Sequence, residues 1–369
     1  MNILILNWRD IKHPEAGGAE VHLHEIFGRL VARKHNITLL TTQFAGAATE
    51  EYIDGIRVLR YGHTYTFNWE SPLLVRRILR TALVDCIIDD VNKIPFFTPR
   101  WFPKVPSCAF FHHLFGQTVF ELTAPPLAAY VLALEKLSGW GYKKVPVCTV
   151  SKSTAHELVE HGFSSENITI IENSVDTDLY TPDAGTKESD HLLYFGRLKR
   201  YKNVSILLRV VKKLCEEGRN MRLTVAGCGD DGDNLKQLAQ ELGISDRVSF
   251  PGFVDEQSKI QLYRRATLFI NPSRKEGWGI TNIEANACGT AVIANDAPGL
   301  RDSVIHEKTG LLYKENDEQD LSRRIAMLLE DESKRSAMET EGRNWALSFS
   351  WDNSATKVER WLENVCRKK

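Results

Sequence analysis

Two carboxylates flanking a glycine-rich turn are the residues of this sequence whose spacing most directly suggests chemistry. Glu276 and Glu284 lie in the run Asn271-Pro272-Ser273-Arg274-Lys275-Glu276-Gly277-Trp278-Gly279-Ile280-Thr281-Asn282-Ile283-Glu284-Ala285-Asn286-Ala287-Cys288-Gly289-Thr290. A strand is predicted to end at Ile270, a loop then carries two glycines, and a helix opens near Ile280 or Thr281. Glycines let the backbone approach an anion, and the first N–H groups of a helix, aided by its dipole, bind phosphate. The run therefore predicts a diphosphate cradle formed by Gly277, Trp278, Gly279, Ile280 and Thr281. A carboxylate is a poor phosphate neighbour but a good acceptor from sugar hydroxyls. Glu276 before the helix and Glu284 about one turn inside it suit a ligand with phosphates in the middle and hydroxylated rings at both ends, a nucleotide-sugar. A helix capped by ordinary acidic residues fits the same spacing, and spacing alone does not separate the two.

Cations stand where such a ligand needs them. Arg197 and Lys202 follow a predicted strand ending at Phe195, so both reach the carboxyl edge of a sheet, the usual ligand crevice of α/β folds. There they would offset charge developing on a leaving diphosphate without a metal. Two solvated side chains beside a loop are the plain alternative. Gly17-Gly18 either lets a loop close over a ligand or makes a tight turn capping a helix from Ala19, and both can hold.

The elements that must position these groups follow from composition and pattern. The chain has 369 residues, 47 Lys+Arg against 48 Asp+Glu, 43% hydrophobic and 26% charged. A formal net charge of −1 argues against a nucleic-acid binder with a broad basic face. One core rarely exceeds roughly 250–300 residues, so two domains are expected. The seven cysteines are scattered and form no C-x-x-C pair, which disfavours a disulfide framework or zinc site. The N-terminus reads straight into a buried strand with no basic leader, and the longest apolar stretch, near residues 124–134, is shorter than the ~18–20 residues of a membrane span. A cytoplasmic protein is expected, with contact to a membrane surface left open.

Short β-branched or leucine-rich runs alternate with amphipathic stretches, the pattern of βα units around parallel sheets. Strands are predicted at residues 3–6, 37–41, 86–88, 107–111, 145–150 and 168–171. After a polar linker at 181–190, a second set follows at 191–195, 222–226, 248–250, 268–270 and 291–294. Helices are predicted at 205–217 and 234–242, the second closed by Gly243. The fold class is α/β, with two doubly wound, Rossmann-like domains at 1–182 and 183–349 and a C-terminal amphipathic helix at 350–369.

Several segments together resemble the retaining glycosyltransferases of family 4. Glu276-x7-Glu284, in a run of the type E-G-[FW]-G-x4-E-A-x-A-x-G, resembles their signature. Gly17-Gly18-Ala19-Glu20 resembles the glycine-rich loop after their first strand, and Ser151 the serine of their V-S-x-S/T segment. Asn173-Ser174-Val175-Asp176 resembles N-G-V-D, and Gly196-Arg197-Leu198 with Lys202 resembles G-R-L-x-x-x-K-[GN]. Gly227-x-Gly229, Pro251-Gly252-Phe253-Val254 and Asp296-x-Pro298-Gly299 also fall in order. Trp278, Ile280 and Ser174 depart from the more frequent Phe, Leu and Gly.

The resemblance implies a GT-B fold, two Rossmann-like domains facing a central cleft, with the C-terminal helix packing back on the first. It implies transfer of a hexosyl group from a UDP- or GDP-sugar to a glycan or lipid-linked acceptor, with retention, no metal and no other cofactor. His112, Glu276, Arg197 and Lys202 take the catalytic places, and Gly17, Gly18, His113, Gly196, Gly227, Phe253 and Glu284 join the cradle residues around the donor. His112 and His113 follow the strand 107–111, in the slot where the family places a histidine beside the reacting sugar; a neutral imidazole there accepts a hydrogen bond from a hydroxyl or stabilises an oxocarbenium-like transition state. Register favours His112, with one buried and one exposed histidine as the plain alternative. Asp231-Gly232-Asp233 and Asp176-Thr177-Asp178 resemble the D-x-D metal motif of another glycosyltransferase class, but read as turn, N-cap and linker residues. Trp345, Trp351 and Trp361 read as packing residues.

On the acceptor side, residues 68–80, with Trp69 and three arginines, and residues 127–144, with Tyr130, Trp140, Lys143 and Lys144, read as helices that cover the first sheet or rest on a membrane surface. Residues 89–97 are the expected acceptor-pocket lining. A nucleotide-sugar-binding protein without turnover and a GT-B nucleotide-sugar 2-epimerase are the alternatives in function. A dehydrogenase is disfavoured because no G-x-G-x-x-G follows the first strand.

Overall fold

The structure, a computed structural model, describes residues 1–64, 66–92, 94–183 and 185–367. Lys93 of the expected acceptor lining, Ala184 of the expected linker, Tyr65, and Lys368 and Lys369 of the expected C-terminal helix lie outside the described residues.

The chain divides into two compact units, Met1–Asn173 with Trp351–Lys369, and Ser174–Ser350. This division, at Asn173/Ser174, falls nine residues before the expected 182/183. Residues after 173 are held by the second unit: Arg343 donates to the carbonyls of Thr177 (3.0 Å) and Tyr180 (2.7 Å), and Arg264 to that of Thr181 (2.7 Å). The polar stretch read as a free linker is itself strapped to the second unit, with Lys187 Nζ 3.2 Å from the Ala266 carbonyl and the Glu188 N–H 2.8 Å from that of Arg265.

Unit 1 contains β1 (Asn2–Leu6), β2 (Asn36–Thr41), β3 (Glu50–Ile53), β4 (Ile56–Arg60), β5 (Cys86–Val91), β6 (Ser107–Phe111), β7 (Val147–Thr149) and β8 (Ile168–Ile170). They form one sheet in the order β3-β4-β2-β1-β5-β6-β7-β8. Every pair is parallel except β3/β4, a hairpin the sequence reading missed. Its turn is Asp54-Gly55, both at positive φ (51° and 76°), as a two-residue hairpin loop requires. Ile3, Leu4, Ile5 and Leu6 are all buried because helices cover both faces. On one face Phe110 packs against Phe27 of the helix Gly18–Ala32 and Trp361 of the helix Trp351–Arg367. On the other, Trp8, Phe67 and Phe96 form a ring cluster under the helix Phe67–Thr81.

Unit 2 contains β9 (His191–Phe195), β10 (Arg222–Ala226), β11 (Val248–Gly252), β12 (Leu268–Asn271), β13 (Ala291–Asn295) and β14 (Gly310–Tyr313), all parallel, in the order β11-β10-β9-β12-β13-β14. The short β14 was also missed. The helices Ser205–Glu216 and Gly232–Glu241 lie near their predicted spans, and Gly243 (φ 68°) follows the second.

In each sheet the connections reverse direction once, between β1 and β5 in unit 1 and between β9 and β12 in unit 2. Ligands of doubly wound sheets bind outside the carboxyl ends of the strands at such reversals. The loops after β9 and β12 carry Arg197, Lys202 and Glu276; the loop after β1 carries Gly17, and β5 carries Asp90.

Candidate functional site

In unit 2 the loops after β9, β10 and β12 are locked together by main-chain contacts. The N–H of Leu198 donates to the Cys228 carbonyl (2.9 Å), that of Arg274 to Tyr201 (2.9 Å), and that of Glu276 to Pro298 (3.2 Å). Two glycines make this approach feasible. A Cβ on Gly227 (φ 128°) would lie 2.0 Å from the Gly196 carbonyl oxygen, and one on Gly299 (φ 81°) 2.2 Å from that of Glu276. Asn271, at the end of β12, ties strand to helix by donating to Asn282 Oδ1 (3.1 Å) and Thr281 Oγ1 (3.3 Å). The helix Ile280–Ala287 starts on Gly279 with no side-chain cap on its first turn, as an anion cradle needs.

Lys202 and Glu276 meet above these loops as an ion pair, both mostly shielded from solvent. Burial disfavours the Lys202 ammonium, but the Glu276 carboxylate outweighs it and holds the pKa above the ordinary lysine value. Arg197 is exposed and close enough for its charge to oppose that of Lys202, so two cations converge on one place.

Glu284 is buried, one turn inside the helix. Its Oε1 takes Lys259 Nζ at 3.1 Å, and its Oε2 accepts from Tyr263 Oη at 2.8 Å. Lys259 also pairs with Glu256 at 3.1 Å, which hydrogen-bonds Tyr180. Lys259, Tyr263 and Tyr180 were not singled out by sequence; the i,i+3 spacing of Glu256 and Lys259 was the available signal. Burial works against the Lys259 charge, and Glu284 and Glu256 restore it, leaving the pKa raised. Phe253, on the turn after β11, exposes 83% of its surface, a free aromatic face near this end of the sheet.

Trp278 turns its side chain inward. Its ring is buried and packs edge-on against Phe349 at 5.4 Å, so Trp278 has only its main chain to offer the expected cradle. Trp345 donates to the Ser303 carbonyl (3.0 Å) beneath it. The two D-x-D strings behave as turn residues: Asp176 accepts from the N–H groups of Asp178 (3.0 Å) and Leu179 (3.1 Å), and Asp231 from the Asn234 side chain (3.0 Å). Among the described residues no three His, Cys, Asp or Glu side chains gather as a metal-binding group.

In unit 1 a row of buried polar side chains runs along the carboxyl edge of the sheet. Gly17 caps the helix Gly18–Ala32, and its N–H donates to Glu20 Oε2 at 2.7 Å. Glu20 Oε1 accepts from Asn92 (2.5 Å), which also donates to Asn7 Oδ1 (3.0 Å). Asn7 Nδ2 donates to Asp90 Oδ2 (2.7 Å), and Asp90 Oδ1 meets His112 Nε2 at 2.6 Å. Burial opposes an imidazolium at His112, but Asp90 and, more distantly, Glu20 outweigh it and raise the pKa. The imidazole of the sequence reading thus has a carboxylate partner that the sequence did not announce. His113 is half-buried and stacks edge-on against Phe115. Gly18 is the first helical residue.

Sequence reasoning ended β5 at Ile88 and read Asp89-Asp90 as loop lining. The strand runs to Val91, and both aspartates are buried on it. Asp89 accepts from the Thr98 hydroxyl (2.6 Å) and from Tyr142, and burial pushes its pKa up to about 6. The two helices read as acceptor elements are Phe67–Thr81 and Pro125–Gly141. Phe67–Thr81 buries Phe67 and Val75 against the sheet and Pro125–Gly141 packs Ala128 and Val131 against Val119; Trp69 and Leu73 of the first and Leu137 and Trp140 of the second are exposed.

Two sequence families match this chain in succession, Glycosyltransferase Family 4 over residues 16–179 and Glycosyl transferases group 1 over residues 182–345. The chain belongs to glycosyltransferase family 4. Its fold is GT-B: sucrose-phosphate synthase from Thermosynechococcus elongatus superposes over 100% of both chains with a TM-score of 0.87 at 20% identity. A D-inositol 3-phosphate glycosyltransferase of Corynebacterium aurimucosum is 32% identical over 55% of this family 4 chain and 53% of its own length, so the chain spans about half the length of that relative. A GDP-mannose-dependent alpha-(1-6)-phosphatidylinositol monomannoside mannosyltransferase of Mycolicibacterium smegmatis is 25% identical over 95% of both chains.

Proposed function

We propose that this family 4 chain moves a hexosyl group from a UDP- or GDP-sugar to a glycan or lipid-linked acceptor, with retention of configuration and without a metal. In that reaction the bond from the sugar's anomeric carbon to the diphosphate oxygen breaks and a bond to an acceptor hydroxyl oxygen forms. The diphosphate departs with the bonding electrons, and the hydroxyl proton is released.

The pairing of Lys202 with Glu276 beside the uncapped helix Ile280–Ala287 is the observation that carries the reading. A diphosphate at that helix end meets Lys202 and Arg197, which take up its growing charge, while Glu276 accepts from the sugar and Glu284 from the ribose hydroxyls. Phe253 offers the base an aromatic face. His112 takes a hydroxyl of the reacting sugar as its partner. Recognition of the base through main-chain atoms keeps UDP and GDP both open, and the name of the Mycolicibacterium relative, with a nucleotide-sugar donor and a lipid acceptor, supports the substrate class.

The acceptor belongs to unit 1. Among the described residues no helix is long and apolar enough to cross a membrane. Exposed Trp69, Leu73, Leu137 and Trp140, with Arg76, Arg77 and Arg80, favour peripheral contact with the cytoplasmic membrane face, where lipid-linked acceptors are presented.

Release of nucleotide diphosphate from a panel of UDP-, GDP- and ADP-sugars, with and without EDTA and with a lipid extract as acceptor source, tests this. Release from one UDP- or GDP-sugar, unchanged by EDTA, is expected. Loss of release in EDTA, restored by a divalent cation, would contradict the metal-free part; a changed sugar still attached to its nucleotide would contradict transfer.

A further inference from the structure

We propose that Asp90 is a positioning residue: it holds the His112 ring with the proton on Nε2 and leaves Nδ1 as the acceptor for a hydroxyl of the transferred sugar. The inference rests on the reading of His112 as the sugar-facing group.

Hydrogen-bond bookkeeping fixes the tautomer. Asn7 Oδ1 accepts from the main-chain N–H of Arg9 at 3.1 Å, which can only donate, so the Asn7 amide must turn its Nδ2 toward Asp90. Asp90 therefore accepts through Oδ2 from Asn7 (2.7 Å) and offers Oδ1 to His112 Nε2 at 2.6 Å. A carboxylate accepts and does not donate, so Nε2 carries the hydrogen. Asp90 and His112 are 2% and 4% exposed, which keeps water from competing for either atom.

The neighbours of the ring reinforce the assignment. His22, on the helix Gly18–Ala32, packs edge-to-face against His112 at 5.1 Å. It is buried with no partner for Nε2, and burial first, then His112, holds its pKa well below the ordinary value. A neutral His22 does not share the proton. Facing His112 are thus Asp90 from β5 and Glu20 and His22 from the helix; the two carboxylates strengthen the ring as a base, and the histidine stays neutral beside it. A more basic imidazole is a stronger acceptor at Nδ1. Asp90 stands on a different strand, 22 residues before His112, which is why no local motif announces it.

Nitrogen NMR of histidine-labelled protein reads the pair directly. In wild type the neutral His112 ring should carry its proton on Nε2 and titrate above its ordinary 6.5. In Asp90→Asn, which keeps the shape but not the charge, the titration should fall by at least about one unit, a tenfold change in proton affinity. Protonation blocks Nδ1, so the acid limb of the kcat profile should move to lower pH with it. Plateau kcat should fall about tenfold while donor KM stays within about twofold. A wild-type ring with its proton on Nδ1 overturns the proposal and needs no variant. So does an unchanged His112 titration in Asp90→Asn, or an acid limb that stays in place while the titration moves. Full turnover in His112→Ala would instead remove the functional role given to His112, and the positioning role with it, even where NMR finds the pair intact.

Discussion

Lys202 and Glu276, 74 residues apart in sequence, form an ion pair across the loops that follow β9 and β12. The lysine would be destabilised by its burial without the carboxylate, and the carboxylate is aimed by the lysine. Under the proposed function a donor bound here would exchange part of that pairing for contacts with phosphate and sugar, for which the pair is pre-oriented.

Replacing Lys202 with methionine keeps most of the stem and removes the charge. Turnover is expected to fall about 100–1000-fold, by analogy with loss of one preorganised electrostatic contact. The thermal melt should stay within a few degrees of wild type. A steady-state assay alongside circular dichroism checks both, and wild-type turnover in a folded variant would remove Lys202 from the mechanism.

Glu284→Gln tests the ribose end. Its carboxylate is already shaped by Lys259 and Tyr263. Losing the charge should weaken nucleotide diphosphate binding about tenfold, or about 1.4 kcal/mol, by titration calorimetry. Unchanged affinity would mean that Glu284 serves only its internal partners.

Gly299→Ala places a Cβ 2.2 Å from the Glu276 carbonyl oxygen at a φ of 81°. Strain of about 1–3 kcal/mol is expected, lowering the melting temperature by roughly 2–10 °C. Because the displaced backbone is that of Glu276, turnover should also fall at temperatures where the variant is folded. A variant as stable and as active as wild type would show that the two loops separate freely.

Asp89 gives unit 1 a pH-dependent stability. Burial, only partly offset by Thr98 and Tyr142, raises its folded pKa from 3.8 to about 6. Protonation therefore favours the folded state: the contribution is full below about pH 4 and is lost as pH rises through about 6. The gap corresponds to on the order of 3 kcal/mol. Urea unfolding at pH 4, 5, 6 and 7 should show wild type losing stability relative to Asp89→Asn along that interval. Parallel curves would place the Asp89 pKa at its ordinary value.

The sequence carried the architecture well where pattern is local. Apolar runs such as Ile3-Leu4-Ile5-Leu6 and Leu192-Leu193-Tyr194 announce buried parallel strands, and the glycine spacing from Glu276 to Glu284 announces a loop opening a helix. The β3/β4 hairpin had a local signal in Asp54-Gly55 that went unread. The end of β5 was misplaced for a physical reason: carboxylates are depleted in strands, yet Asp89 and Asp90 stay on this one because each finds buried donors elsewhere in the fold. The polar stretch after residue 173 reads as a linker in sequence, and the contacts of Arg343 and Arg264 that tie Thr177, Tyr180 and Thr181 to the second unit have no local signal. Arg197, Lys202 and Glu276 could be placed by motif. So could Gly17, Glu20 and His112, but the links between them through Asn92, Asn7 and Asp90 could not, since they join residues as far as 85 positions apart. Trp278 fell in the motif, but Phe349 decides where its ring points.

The most direct test of the account is donor turnover by wild type and Glu276→Ala, measured side by side as nucleotide diphosphate release from the accepted donor. A loss of at least about 100-fold is expected in the variant at a temperature where circular dichroism shows it folded, with binding of the bare nucleotide diphosphate retained. Equal turnover by the two proteins would contradict the account.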